Sequence, residues 1–245
     1  MGKVSVLGIA FDNKSFLEFQ NDLIGRLNAH LSTLIVTANP EIVMAAQHDR
    51  AFKKIIDQDA DLVTADGIGI IKGAKMLKTP LKERVTGYDL FTWLLQVADQ
   101  RGLRVFFIGA KPEVIAALKQ KIATGYPNLV VVGAHDGYFK ESLPQVAQKI
   151  AQTSPDLVFA ALGFPRQEEL LALLRRENLP AVMMGVGGSF DVFSGQVKRA
   201  PKLFQSTHLE WFYRLLTHPT RWRRMLALPK FVFAVRKSKS GAEHR

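Results

Sequence analysis

Cysteine is missing from all 245 residues of the chain. Disulfides and thiolate metal sites are therefore excluded, and a reducing compartment fits. Also missing is any run of about 18 apolar residues, the length a spanning helix needs, so an integral membrane protein is not expected. The short apolar start Lys3–Phe11 runs straight into Asp12-Asn13-Lys14 with no small-residue cleavage site, which reads as a first strand rather than a secretion signal. The six histidines show no ligand spacing. A G-x-S-x-G elbow and a Walker loop are both lacking, which removes the usual serine-hydrolase and P-loop readings. Internal repeats and low-complexity stretches are absent as well.

Acidic residues are scarce at one end only. The net charge is +11, from 33 Lys and Arg against 22 Asp and Glu. From Gln196 to Arg245 there are 12 basic and 2 acidic residues, a net of +10. The remainder, 33 less 12 basic and 22 less 2 acidic residues, has a net of +1. A nearly neutral globule thus carries a basic tail, which points to an anionic partner such as a membrane surface, a nucleic acid or a phosphorylated substrate.

What is present is alternation. Short apolar runs at Val4–Ile9, Thr33–Thr37, Asp61–Ala65, Arg104–Ile108, Leu129–Val132, Asp156–Leu162 and Ala181–Val186 have the character of strands buried on both faces. Between them, Ser15–His30, Tyr88–Gln100, Pro112–Thr124, Leu143–Gln152 and Arg166–Glu177 have helical apolar spacing. The expected fold class is α/β, a Rossmann-like and mostly parallel sheet with helices on both faces. Residues 1–195 form the α/β core, and 196–245 a basic amphipathic helical appendage. Lys78–Thr86 is the one long polar connection inside the core and is expected to cover part of it.

Ligands of open parallel sheets bind beyond the carboxyl ends of the strands. The turns at those ends are polar or glycine-rich: Thr37-Ala38-Asn39-Pro40, Asp66-Gly67, Gly109-Ala110-Lys111-Pro112, Gly163-Phe164-Pro165-Arg166-Gln167-Glu168 and Gly185-Val186-Gly187-Gly188. One composite site on that edge is expected. Asp66 either caps the following helix or serves as a general base, and its strand-end neighbours favour the base. Thr37 and Asn39 offer a hydroxyl and an amide, for a sugar or for a helix cap. Arg84 in the polar connection is a forked donor for a diphosphate or a solvated loop residue. Gln167 and Glu168 open a helix whose N-terminus suits an anion or a sugar. Gly109, Gly163, Gly185 and Gly187 permit close backbone approach to a phosphate or base. Gly185-Val186-Gly187-Gly188 lacks the full dinucleotide fingerprint and a ribose carboxylate ~20 residues on, so nicotinamide binding is rejected. Asp57-Gln58-Asp59 has the D-x-D form of a metal-binding transferase. Five residues at ~3.3 Å each put Asp61 on the order of 16 Å from Asp66, at the opposite edge. It reads as a solvated turn, with no metal in the reaction.

The tail interleaves aromatic residues with arginines: Trp211, Phe212, Tyr213 and Arg214, then Arg221, Trp222, Arg223 and Arg224, then Phe231 and Phe233. Leu209, Phe212, Leu215 and Leu216 share a helical face. Cationic, Trp-bearing amphipathic helices lie in the membrane interface. Each basic residue near an anionic surface contributes about 1 kcal/mol. The alternatives are a terminal helix packed on the globule and nucleic-acid binding through phosphates. No nucleic-acid motif is present, and a membrane is the better partner.

Taken together and in order, the strand-end motifs, with Arg84-Val85-Thr86-Gly87, Gly195-Gln196-Val197-Lys198-Arg199-Ala200-Pro201 and Leu209–Leu216, resemble the TagA/WecG/CpsF family of bacterial glycosyltransferases. The resemblance runs from the first strand to about residue 236. It implies transfer of N-acetylmannosamine from UDP-N-acetylmannosamine to undecaprenyl-diphosphate-linked N-acetylglucosamine, as in the linkage unit of wall teichoic acid. It implies Asp66 as base, with Thr37, Asn39, Arg84 and Gln167 around sugars and phosphates. Arg214, Arg221 and Arg224 would approach the diphosphate, with Trp211 and Trp222 at the membrane. No cofactor is implied, and the place of work is the inner face of the cell membrane. Arg166 stands where the family commonly has Lys, which keeps the charge. Other readings are a relative that uses another UDP-sugar, such as the uronate, and a non-catalytic nucleotide-binding module. Monomer and homo-oligomer both fit the sequence.

Overall fold

A computed structural model describes residues 2–198, 200, 201, 204, 213 and 226–243. The apolar run at the start does not form a single strand. It folds back as an antiparallel hairpin, β1 (Lys3–Val6) on β2 (Ile9–Asp12). Leu7 and Gly8 make the turn, with φ of 49° and 75°. Positive φ at both central residues is the twist that two-residue hairpins need. Val6, Ile9 and Phe11 are buried and Ala10 is exposed, the period of a strand with one face on the core. The hairpin therefore packs beside the main sheet and contributes no strand to it. The carboxylate of Asp12 accepts from the Val63 amide at 2.8 Å.

The remaining six apolar runs form one parallel sheet: β3 (Thr33–Ala38), β4 (Leu62–Ala65), β5 (Arg104–Gly109), β6 (Val130–His135), β7 (Leu157–Ala161) and β8 (Val182–Gly185). Their order is β4-β3-β8-β7-β5-β6, and every pairing is parallel. Alternate side chains feed two cores. Leu34, Val36 and Ala38 of β3 face one layer, and Ile35 faces the other. The first layer holds the hairpin, α2 (Pro40–His48), α3 (Arg50–Lys54), α4 (Ile68–Met76), α7 (Leu143–Gln152), α8 (Arg166–Arg176) and α10 (Ala227–Glu243). The second holds α1 (Phe16–Asn28), α5 (Gly87–Arg101), α6 (Pro112–Gly125) and α9 (Ser189–Phe193). An aromatic cluster anchors the second layer, with the Phe91 ring 4.9 Å from Phe159 edge to face.

Local chemistry sets the helix starts. Ser15 and Glu18 form a capping box on α1. Asn39 caps α2 ahead of Pro40, and Thr86 caps α5. The polar connection before α5 is tied down rather than free. The Lys82 amide donates to Asn13 Oδ1, and the Phe16 amide donates to Glu83 Oε2. Leu81 and Val85 are buried beneath it.

The end of the chain returns to the core. Phe231 and Val235 of α10 are fully buried between α2 and α4, while Phe233 on the outer side is 71% exposed. Gly69 and Gly73 of α4 make room: a side-chain carbon at Gly73 would meet the Phe231 ring at 2.9 Å. Of the tail aromatics, Phe231 is thus a core residue and not a membrane-facing one. No helix among the described residues is long and apolar enough to cross a membrane.

Candidate active site

At the carboxyl edge, a run of contacts links β4, α5, β3, β8 and α8. Asp66 follows the last residue of β4, and its amide donates to Ala38 O of β3 at 3.0 Å. Its side chain is half-buried, and Oδ2 accepts from the Gly87 amide at the first turn of α5, 3.1 Å away. The N-cap position of α4 is Gly67, one residue past Asp66. The Asp66 side chain contacts the start of α5, which sits on the other layer of the sheet.

Gly87 lies directly against Thr37: a side-chain carbon there would meet Thr37 Oγ1 at 3.1 Å. Thr37, 8% exposed, donates its hydroxyl proton to Gly185 O at 3.1 Å, joining β3 to β8. Asn39 stands at the end of the same strand. Its Oδ1 accepts from the Ile42 amide at 3.0 Å, so this oxygen caps α2. Thr64 pairs with Thr37 across the sheet, and its buried hydroxyl has no hydrogen-bond partner among the described residues.

Gly185 gives way to α8. Any side chain on it would collide with the Gln167 carboxamide and Glu168 Oε1. Gln167, 4% exposed, accepts from the Gly187 amide at 3.2 Å and donates through Nε2 to Glu168 Oε1 at 2.8 Å. Glu168 is 1% exposed, and its Oε2 has no partner among the described residues. Burial pushes its carboxyl from an ordinary 4.5 up to about 7; the bond from Gln167 only partly opposes this, and Glu169 adds to the rise. Glu168 was expected at the start of α8 as a polar first-turn residue or as part of an anion or sugar site, so its depth is new. For Gln167, though not for Glu168, a signal existed: Gln167, Leu170, Leu171 and Leu174 form one i, i+3, i+4, i+7 stripe, which places 167 on the buried side.

Arg84 is half-buried three residues before Gly87. The Gly163 carbonyl accepts from the Gln167 amide at 3.0 Å. Gly109 ends β5 at a φ of +119°, where a side chain would strike the Ala161 backbone. It is on the same edge but across β7 from the Asp66 group. Arg166 donates to Gly137 O at 3.1 Å and lies over the Phe139 ring, 4.3 Å from its centroid. Trp211, Arg214, Arg221, Trp222 and Arg224 lie outside the described residues.

In the D-x-D stretch Asp57 and Gln58 are exposed, as a solvated turn requires, while Asp59 is half-buried. The stretch forms a π-helical turn, Ile55–Asp59, at the amino edge of the sheet. Arg176 grips Asp59 through two nitrogens at 3.0 and 2.6 Å, and Arg175 grips Asp61 at 2.7 and 3.0 Å. Asp57 pairs with Lys53. These carboxylates join α8 to the turn, with charge-assisted bonds occupying the oxygens of Asp59 and Asp61.

The starts of α2 and α5 thus lie beside one half-buried carboxylate, and the start of α8 lies on the same edge, joined to them through Gly185 and Thr37. Helix starts attract anions, which suits phosphates and sugar oxygens. Residues 4–245 match the glycosyl transferase WecG/TagA/CpsF family. The chain belongs to this family. It is a glycosyltransferase. A relative from Bacillus spizizenii strain W23 is 48% identical over 211 residues, spanning 86% of this chain and 81% of the relative. One from Bacillus subtilis strain 168 is 42% identical over the same length. One from Staphylococcus aureus strain NCTC 8325 is 38% identical over 240 residues, 97% of this chain and 93% of its own. Each of the three is named N-acetylglucosaminyldiphosphoundecaprenol N-acetyl-beta-D-mannosaminyltransferase.

Proposed function

We propose that this WecG/TagA/CpsF glycosyltransferase moves N-acetylmannosamine from a UDP donor to N-acetylglucosaminyl-diphosphoundecaprenol, with inversion at the anomeric carbon. The observation that carries the reading is the shared name of relatives that match nearly the whole chain at 38–48% identity. Asp66 acts as the base. Its carboxylate takes the proton of the acceptor hydroxyl as that oxygen attacks the anomeric carbon. The bond to the UDP oxygen breaks, and its electron pair leaves with UDP. Asp66 Oδ2 accepts from the Gly87 amide, which holds the carboxylate at the strand end where the acceptor hydroxyl would meet it.

The departing diphosphate gains charge, which positive groups must offset. Arg84 and the starts of α2, α5 and α8 supply part of it, and Arg214, Arg221 and Arg224 of the tail the rest. A metal has no part in this scheme, since Asp59 is gripped by Arg176 at the far edge. Thr37, Asn39 and Gln167, with the Gly109, Gly163, Gly185 and Gly187 backbone, line the sugar and phosphate positions. The basic tail docks on the inner face of the cell membrane, where the lipid acceptor lies, so the arginines complete the site only at the surface. Nucleic acid is not a partner.

The test is a panel of UDP-sugars with a short-chain lipid-diphosphate acceptor, products being identified by mass. N-acetylmannosamine transfer is expected. Efficient transfer of a different sugar alone, or UDP release without the lipid product, overturns the assignment.

A further inference from the structure

The Gln167 carboxamide is bonded at both ends, to the Gly187 amide at 3.2 Å and to Glu168 Oε1 at 2.8 Å. The two ends of a carboxamide have the same shape, so its orientation is decided by its partners. The Gly187 amide can only donate. Glu168 Oε1 accepts, and so it selects which end of Gln167 faces which way. Glu168 Oε2 is buried with no partner among the described residues. A charged oxygen left so is costly in a dry site, whereas a neutral carboxyl still accepts through Oε1. The close approach of this pair to Gly185 leaves little room for either side chain to turn.

The charged groups around Glu168 do not supply a counter-ion. Exposed Glu169 on the same helix disfavours a second negative charge. Arg175 and Arg176, at the far end of α8, are held by Asp61 and Asp59. Lys149 of α7 is held by Glu141. On β8 the pair lies against Gly185, whose carbonyl accepts from the Thr37 hydroxyl of β3.

We propose that Glu168 is a positioning residue: as a neutral acid it fixes the Gln167 carboxamide, and through it the Gly187 turn, in the shape that receives the sugar nucleotide. The proposal rests on the reading of this edge as the donor site. Glu168 acts through Gln167 and does not touch the reacting atoms.

The full chain is compared with Glu168→Gln, Glu168→Leu, Gln167→Ala and the double variant Gln167→Ala/Glu168→Leu. The first readout is hydrogen exchange at the Gly187 amide without ligand. The second is KM for the UDP-sugar and kcat, from pH 6 to 8.5. Glu168→Gln keeps the acceptor and cannot ionise. It should match wild type in exchange and in KM at pH 6.5. Glu168→Leu should speed Gly187 exchange and raise KM, each by roughly tenfold, the effect of losing one buried hydrogen bond, with a smaller change in kcat. The double variant should be no worse than Gln167→Ala, because the leucine acts through a residue already removed. Unchanged exchange and KM in Glu168→Leu, or additive losses in the double variant, would overturn the proposal. Should Glu168→Leu fail to fold, faster Gly187 exchange or a raised KM in Glu168→Gln, which keeps the acceptor, overturns it. If exchange follows the expected pattern while wild type transfers no sugar, the positioning role stands and the donor reading falls.

Discussion

The Gly87 amide nitrogen is 3.1 Å from Oδ2 of Asp66, so the first turn of one helix grips a carboxylate delivered by a strand from the opposite direction. Asp66→Asn keeps the shape and removes the basic oxygen. Transfer should fall about 10²–10⁴-fold, the range a general base contributes, while UDP binding by calorimetry stays within threefold. Transfer at half the normal rate or better would remove Asp66 from the chemistry.

Glu168 also links pH to stability. Its carboxyl titrates at about 7 when folded, against 4.5 as the ordinary value. Between these values the folded chain holds more proton than the unfolded one. The contribution is therefore full below pH 4.5 and is lost as pH rises through 7. The loss amounts to about 3 kcal/mol for this one group. Glu168→Gln should flatten that slope and leave the variant more stable than wild type at pH 8, read from urea midpoints across pH. Parallel curves for the two proteins would contradict the burial argument.

Asp59 is bonded through both oxygens to Arg176 at the edge away from Asp66. Asp59→Asn should leave transfer unchanged in the presence of EDTA, at a cost of about 1 kcal/mol in stability for a surface-side ion pair. A strict need for a divalent ion, lost in the same variant, would return these carboxylates to the reaction.

Phe231 fills a fully buried position against α4. Phe231→Ala should destabilise the chain by about 3 kcal/mol, the low end for a large buried ring, in thermal or urea unfolding. A variant as stable as wild type would mean that α10 is not held through this ring.

Much of this architecture was readable from short runs. Arg104–Ile108 and Asp156–Leu162 correspond to β5 and β7 within a few residues, because continuous Val, Ile and Phe in short runs suit only strands covered on both sides. The hairpin was not readable. Leu7-Gly8 is not among the dipeptides that announce a two-residue turn, and the run looks continuous until Val6 and Ile9 are seen to share a face. The strand-end turns located the edge. They did not reveal that Glu168 is buried, since a Gln-Glu pair opening a helix has the appearance of a solvated first turn. The partners of Asp59 and Asp61 are over 110 residues away, at separations of 117 and 114, which no local pattern encodes. The fit of Phe231 likewise depends on an absent side chain at Gly73.

The way α10 closes on α2 and α4 bears on how the basic stretch before it should be dissected. Cutting the chain after residue 195 would strip Phe231 and Val235 from the very helices that start at Asn39 and just past Asp66. An inactive truncate would then report a damaged scaffold as readily as a lost membrane grip. An internal excision or charge reversal that spares 226–243 keeps the clasp shut and lets the two effects be told apart.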